Sequence, residues 1–199
     1  MPRCRRCALP SPASAPICGP CQAAPLPFAA ALACVDYGAP WDQLIADFKF
    51  HDGIDLGAVF ATAIAAEASR HEFDPATLLV PVPLAAARLR ERGYNQAWQM
   101  ARLIARRLRL AADPRLLLRV RETPHQLALP LEERADNVRG AFAVEPQRRS
   151  EVAGRHVAIV DDVMTTASTA AEIGRVLAQA GAASVSVWVF ARTPRPGSV

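Results

Sequence analysis

The chain has 199 residues, 51% of them hydrophobic, with a mean hydropathy of +0.10, a formal charge of +4 and a pI near 9.1. That is enough to bury one core and carry a small appendage, and it excludes an extended disordered chain. The longest wholly apolar run, Phe28 to Val35, is far short of the roughly 20 residues a membrane helix needs, so no membrane insertion is expected.

The N-terminus has cysteines and prolines where a signal peptide needs an unbroken apolar core, so a cytoplasmic location is expected. Cys4-Arg5-Arg6-Cys7 and Cys18-Gly19-Pro20-Cys21 are two C-x2-C pairs separated by ten residues. Two such pairs supply four thiolates, the tetrahedral set of a structural zinc site, and each knuckle turn aims both sulfurs at one point. Zinc bound by four thiolates carries net negative charge, which Arg3, Arg5 and Arg6 can offset. The proline-rich segment 1–27 has few large apolar side chains and cannot fold unaided, whereas structural zinc contributes roughly 10–16 kcal/mol. Two disulfides are the competing reading of the same four residues. Cys34, in an apolar run, reads as a small core residue.

Residues 28–37 read as a strand and 41–50 as a short helix with Leu44, Ile45 and Phe48 on one face. Lys49, the one lysine among 23 basic residues, invites a functional role, but a solvated helix end is the simpler account of it. A helix over 56–68 gives way at Asp74-Pro75 to a second strand, Leu78-Leu79-Val80-Pro81-Val82-Pro83. The segment Arg88 to Gln96 leads into a long helix over 95–110 in which Trp98, Ala101, Leu103 and Ile104 alternate with Arg102, Arg106, Arg107 and Arg109. Ten arginines lie between Arg88 and Arg121 against only Glu91 and Asp113. Such a band can track a phosphate backbone or form the solvated side of a helix. Residues 115–120 read as a third strand, 141–144 as a further one and 184–190 as the last; the tail 193–199 is expected to fray.

The run Val157-Ala158-Ile159-Val160-Asp161-Asp162-Val163-Met164-Thr165-Thr166-Ala167-Ser168-Thr169 carries the chemistry. Apolar residues suited to a buried strand stop at two carboxylates, and small hydroxylated residues then lead into a helix. Thr169 and Glu172 read as a capping box, with Ile173, Val176, Leu177 and Ala180 at helical spacing up to Gly181. A helix N-terminus attracts phosphate, and carboxylates at the carboxyl end of a parallel strand can accept hydrogen bonds from neighbouring sugar hydroxyls.

This run resembles the phosphoribosyl-pyrophosphate (PRPP) motif of type I phosphoribosyltransferases, Asp-Asp-Val-x-Thr-Thr-Gly-x-Thr after a hydrophobic strand. Ala167 stands where that motif has Gly, a change that adds a methyl and opposes a positive φ. The paired cysteines, the Val-Pro-Val-Pro strand, Arg90-Glu91-Arg92-Gly93-Tyr94-Asn95-Gln96, Arg121-x-Thr123-x-x-Gln126 and Arg134-x-x-Asn137-x-x-Gly140-Ala141-Phe142 together resemble the ComF family of competence proteins.

The resemblance implies a twisted, mainly parallel α/β sheet flanked by helices, with a zinc ribbon at 1–27 attached to a phosphoribosyltransferase-like domain at 28–192. It implies that Asp161 and Asp162 hold the ribose hydroxyls and that Thr165, Thr166, Ala167, Ser168 and Thr169 wrap the 5′-phosphate. Pro83, Leu84 and Ala85 would line the pyrophosphate loop, with Arg90 and Arg92 as anion contacts. Arg121, His125, Gln126, Arg134 and Asn137 would belong to a loop closing over PRPP, with His125 a conceivable base. The implied activity is Mg²⁺-dependent phosphoribosyl transfer with release of pyrophosphate. The alternative is a non-catalytic adaptor in DNA uptake that binds single-stranded DNA or a helicase or translocase partner, with PRPP as a regulatory ligand.

Overall fold

The computed structural model describes residues 2–12, 14–50, 53–121 and 133–194. In chain order its elements are α1 (Gly19–Ala23), β1 (Ala30–Asp36), α2 (Trp41–Phe50), α3 (Leu56–Ala68), β2 (Leu78–Pro81), α4 (Ala86–Arg92) and α5 (Gln96–Leu108). They continue with β3 (Ala111–Ala112), β4 (Leu117–Arg119), α6 (Glu133–Val138), β5 (Phe142–Val144), a 3₁₀ turn at Pro146–Glu151, β6 (His156–Met164), α7 (Ser168–Gln179) and β7 (Ser184–Arg192).

Five strands form one sheet in the order β1-β7-β6-β2-β3, and every neighbouring pair is parallel. Successive side chains of a strand face opposite ways, so each strand feeds two cores. On one face Leu79, Ala158, Val160, Trp188 and Phe190 pack against Phe48 of α2, Phe60 and Ile64 of α3, and Met100 and Ile104 of α5. On the other, Val80, Val157, Ile159, Val185 and Val187 pack against Ile173 and Leu177 of α7. Full coverage explains why β7 is buried at seven of its nine positions although its valines alternate. Each fully buried side chain of this size contributes roughly 1.5–3 kcal/mol.

One local expectation is narrowed. The strand expected over 115–120 is the three-residue β4, which pairs antiparallel with β5 in a separate ribbon. The edge of the parallel sheet is instead the two-residue β3, Ala111–Ala112, joined to Leu78 and Leu79. Leu116 and Leu117 are buried in the core beneath α7, and that burial draws β4 away from the sheet.

The Gly93-Tyr94-Asn95-Gln96 segment is a joint between helices. Gly93, at φ +80°, ends α4, and the Asn95 side chain caps α5 by accepting from Trp98 N at 3.2 Å. Asn95 also donates to Val82 O at 3.0 Å, which ties the start of α5 to the end of β2. Helix α7 ends in a Schellman turn, with Gly181 at φ +93° and Ala182 N bonded to Leu177 O.

Helix α7 lies close against the segment that leads from the cysteines into β1. A Cβ added at Gly174 would stand 2.4 Å from Pro27 O, a backbone atom that cannot swing aside. Gly174→Ala is therefore expected to cost about 1–3 kcal/mol of stability, as overpacking does. Gly19→Ala, where nothing lies within 4 Å of the added carbon, should stay within about 0.5 kcal/mol. Urea midpoints of the two variants check this.

Candidate functional site

The site begins where one strand stops and its neighbours continue. The pairing of β2 with β6 ends at Pro81 opposite Val160, closed by Val82 N donating to Val160 O at 3.0 Å. Pro83 has no N–H and cannot extend the ladder. On its other side β6 remains paired to β7 as far as Met164 opposite Arg192. Asp161 and Asp162 thus lie inside β6, beyond the end of β2, and not at the end of their own strand as the sequence implies. A cavity of about 750 Å³ opens beside them.

Asp162 is 3% exposed and its carboxylate Oδ2 lies 2.8 Å from Lys49 Nζ. The lone lysine is therefore not a solvated helix end: α2 delivers it to the acidic pair. Burial opposes its charge, but the nearby carboxylates of Asp162 and Asp161 prevail and hold its pKa above the ordinary value. Asp161 is pushed the other way for a carboxyl: burial and then the charge of Asp162 raise its pKa, with Lys49 opposing them. Each carboxylate also accepts a backbone bond, Asp161 from Asp162 N at 2.9 Å and Asp162 from Val163 N at 2.8 Å.

Thr165, Thr166, Ala167, Ser168 and Thr169 all line the cavity. The capping box expected at Thr169 and Glu172 does not form. Helix α7 begins two residues earlier than that box implies, at Ser168, with Ala167 at its N-cap in the left-handed region at φ +68°. Thr166 Oγ1 accepts from Ser168 N at 3.3 Å and bonds Ser168 Oγ at 2.8 Å. Glu172 instead joins α7 to the approach to β5, accepting from Gly140 N at 2.7 Å and from Arg175 at 2.6 Å. The alanine adopts the backbone that glycine would, at a cost of about 1–2 kcal/mol.

Pro83 and Leu84 line the cavity, while Ala85 is the N-cap of α4. Among the α4 arginines, Arg88 and Arg92 line it; Arg90 is exposed and does not. Arg92 also stacks over the Phe50 ring at 5.1 Å. Arg119, which the sequence did not mark, lines the cavity from β4. Arg121 lies outside it, donating to the carbonyls of Asn137 at 3.0 Å and Arg139 at 2.6 Å. It thereby ties the residues after β4 to the end of α6. His125, Gln126 and the Arg134 side chain fall outside the described residues.

The four Sγ atoms of Cys4, Cys7, Cys18 and Cys21 lie within 4.8 Å of one another, with no disulfide among them. Cys7 and Cys18 are 3.7 Å apart, and a tetrahedral ion with bonds of about 2.3 Å sets its sulfurs about 3.8 Å apart. Burial opposes ionisation of Cys4, yet N–H donors from Cys18, Cys7 and Arg6 prevail and bring its thiol to about 6. Burial holds Cys7 and Cys21 above the usual thiol range. Arg3 pairs with Asp36 of β1 at 2.7 Å and donates to Ala8 O at 3.0 Å, so it fastens the cysteine segment to the sheet. Cys7, Leu9, Pro20, Cys21, Ala24 and Leu26 form a wall of the same cavity.

Residues 55–198 match the phosphoribosyl transferase domain. The DNA utilization protein YhgH of Escherichia coli (strain K12) is 34% identical over 194 residues, covering 96% of this chain and 84% of that one. Competence protein F of Haemophilus influenzae is 34% identical over 160 residues, covering 78% and 69%. The chain belongs to the ComF family of phosphoribosyltransferase-domain proteins. A solved structure of the allosteric regulatory enzyme of purine biosynthesis overlays 73% of this chain and 30% of its own, with a TM-score of 0.48 and 20% identity. No helix among the described residues is long and apolar enough to cross a membrane.

This ComF-family site stores electrostatic cost. Lys49→Met leaves Asp162 buried without its counter-charge. The expected loss lies at or below the low end of the roughly 3–5 kcal/mol typical of broken buried pairs, because Lys49 keeps 24% of its side-chain surface exposed. Asp161 behaves oppositely. With its folded pKa raised, its contribution to stability is fully present below the ordinary carboxyl pKa and is lost as pH rises through the raised one. Asp161→Asn should therefore raise Tm at neutral pH by about 2–4 °C, the shift that 1 kcal/mol gives at this size. That gain should vanish below about pH 4, where the carboxyl is protonated in both states. Thermal melts at the two pH values check the pair of variants.

Proposed function

We propose that the cavity binds PRPP and that the protein transfers its phosphoribosyl group with release of pyrophosphate. The observation that supports this best is the meeting of the Asp161-Asp162 pair, the hydroxyl loop 165–169 and the guanidinium groups of Arg88 and Arg92 in one cavity. The carboxylates accept from the two ribose hydroxyls, and the loop at the start of α7 takes the 5′-phosphate through N–H groups and hydroxyls. Arg88 and Arg92 face the diphosphate, which a planar guanidinium binds through paired oxygens.

In the reaction the bond from the anomeric carbon to the pyrophosphate oxygen breaks, the oxygen keeps the electron pair, and a bond forms from a nucleophile to that carbon. Positive charge develops on the sugar ring and negative charge on the leaving group. The protein's part is positional and electrostatic, needing no strong base. Mg²⁺ arriving with PRPP suits the hard oxygen set of carboxylates and phosphates and supplies charge neutralisation of the diphosphate. In this reading residues 1–27 form a zinc ribbon with its own small core of Leu9, Ile17 and Leu26 around the cysteines, and residues 28–192 form the transferase domain.

Calorimetric titration of the zinc-loaded protein with PRPP and Mg²⁺ tests the reading. Saturable binding that falls at least tenfold in Asp161→Asn and Asp162→Asn is expected. A folded wild type that does not respond to millimolar PRPP overturns the reading.

A second reading follows the relatives' names, DNA utilization and competence. In it the protein is an adaptor of DNA uptake acting in the cytoplasm on single-stranded DNA or a helicase or translocase partner. The exposed arginines of α5, Arg102, Arg106 and Arg107, with Arg109 at its C-cap, favour it. Neutralising Arg102, Arg106 and Arg107 should lower salt-dependent DNA affinity and the salt slope while leaving PRPP binding intact. Unchanged DNA binding in that variant excludes the arginine face.

A further inference from the structure

Arg192, the last residue of β7, is 5% exposed and bonded on both sides. Its Nε donates to Cys7 O at 2.8 Å, and its Nη1 donates to Met164 O at 2.8 Å and to Thr193 O at 2.9 Å. The same Nη1 contacts Thr165 O. One guanidinium thus holds the carbonyl of a residue in the four-cysteine cluster together with the carbonyls where β6 passes into the hydroxyl loop. A guanidinium cannot shed its charge, so once buried it must keep these acceptors.

We infer that Arg192 is a positioning residue that couples occupancy of the four-cysteine site to the shape of loop 165–169, and through it to anion binding there. The inference rests on the phosphosugar reading only for what the loop binds. The Cys7 carbonyl has a fixed place only while its knuckle is closed, and Ala8, next in the chain, turns in the left-handed region at φ 57°. The proline-rich segment that carries it has little core of its own, so a bound metal ion sets that turn. When the turn opens, Arg192 loses one acceptor and its hold on Met164 and Thr165 loosens. The segment's hydrogen bonds to β1, Ala31 N to Arg5 O at 2.8 Å and Arg3 to Asp36, do not reach the loop, whereas Ala8 packs in the same core cluster as Met164 and Ala167 without a polar tie to them.

Coupling between two sites is reciprocal, typically 5- to 150-fold, so zinc should tighten ribose 5-phosphate binding by the factor with which ribose 5-phosphate tightens zinc. The test compares wild type, Arg192→Lys and Arg192→Met by amide hydrogen exchange, zinc transfer to a chromogenic chelator and ribose 5-phosphate affinity. Stripping zinc from wild type should speed exchange of amides 165–170 about tenfold while 157–160 stay protected. Zinc-loaded Arg192→Met should already show the fast loop and should release zinc about tenfold faster with no cysteine altered. Arg192→Lys, which keeps the charge but not the fork, should lie between.

Loop amides indifferent to zinc in wild type, or zinc release at the wild-type rate in Arg192→Met, overturns the inference. If the zinc-free chain unfolds, the comparison of zinc-loaded variants decides alone. A loop that follows zinc in a protein that binds no ribose 5-phosphate upholds the clasp and removes the phosphosugar reading. Ribose 5-phosphate binding equally with and without zinc, over an unmoved loop, does the reverse.

Discussion

The structure depends on a hydrogen-bond ladder that ends early. Strand β2 gives its last bond at Val82, and the prolines on either side of that residue leave nothing with which to continue. Strands β6 and β7 run on together, so the end of β6 is held straight by one neighbour and bare toward the other. A half-paired strand can be both rigid and accessible, and a site for a charged ligand needs both. In an open parallel sheet such gaps fall at the carboxyl ends of strands, where the following helices also begin.

Two adjacent carboxylates at such a gap are costly to hold, and the molecule offsets the cost unequally. Asp162, buried, has Lys49 and the Val163 amide. Asp161 has one backbone donor and a raised pKa. The fold therefore tolerates strain at this point, as it does at Ala167, a left-handed alanine at the head of α7. Sites of this kind give up stability to keep groups ready that no unliganded structure requires.

Most of the frame was legible in the sequence because it rests on periodicity. Helices α2 and α3 fall where apolar spacing puts them, and the buried run of β6 reads as a covered strand. What the sequence hid is what tertiary contact decides. Nothing in Ala111–Ala112 marks an edge strand, which exists because Leu79 offers it a ladder. The choice of Arg88 and Arg92 over Arg90 is a matter of which side of α4 meets the cavity. Thr169 and Glu172 fit a capping pattern, but Gly140 and Arg175 competed for the glutamate and won. Lys49 did carry a signal, its singularity, which could not name its partner. Arg192 carried none, since an arginine ending an apolar strand ordinarily reaches for solvent.

The singular lysine also bears on how the acidic pair can work. Two carboxylates have between them about eight acceptor positions, and the contacts described at Asp161 and Asp162 use three. A guanidinium in place of Lys49 would take both oxygens of Asp162 in a fork and fix its plane. An ammonium takes one and leaves the rest of the carboxylate's capacity open to hydroxyl donors. Its flexible stem also lets it shift when another cation enters the cavity. In a chain that otherwise uses arginine throughout, lysine stands at the position where a point charge holds a carboxylate without occupying it.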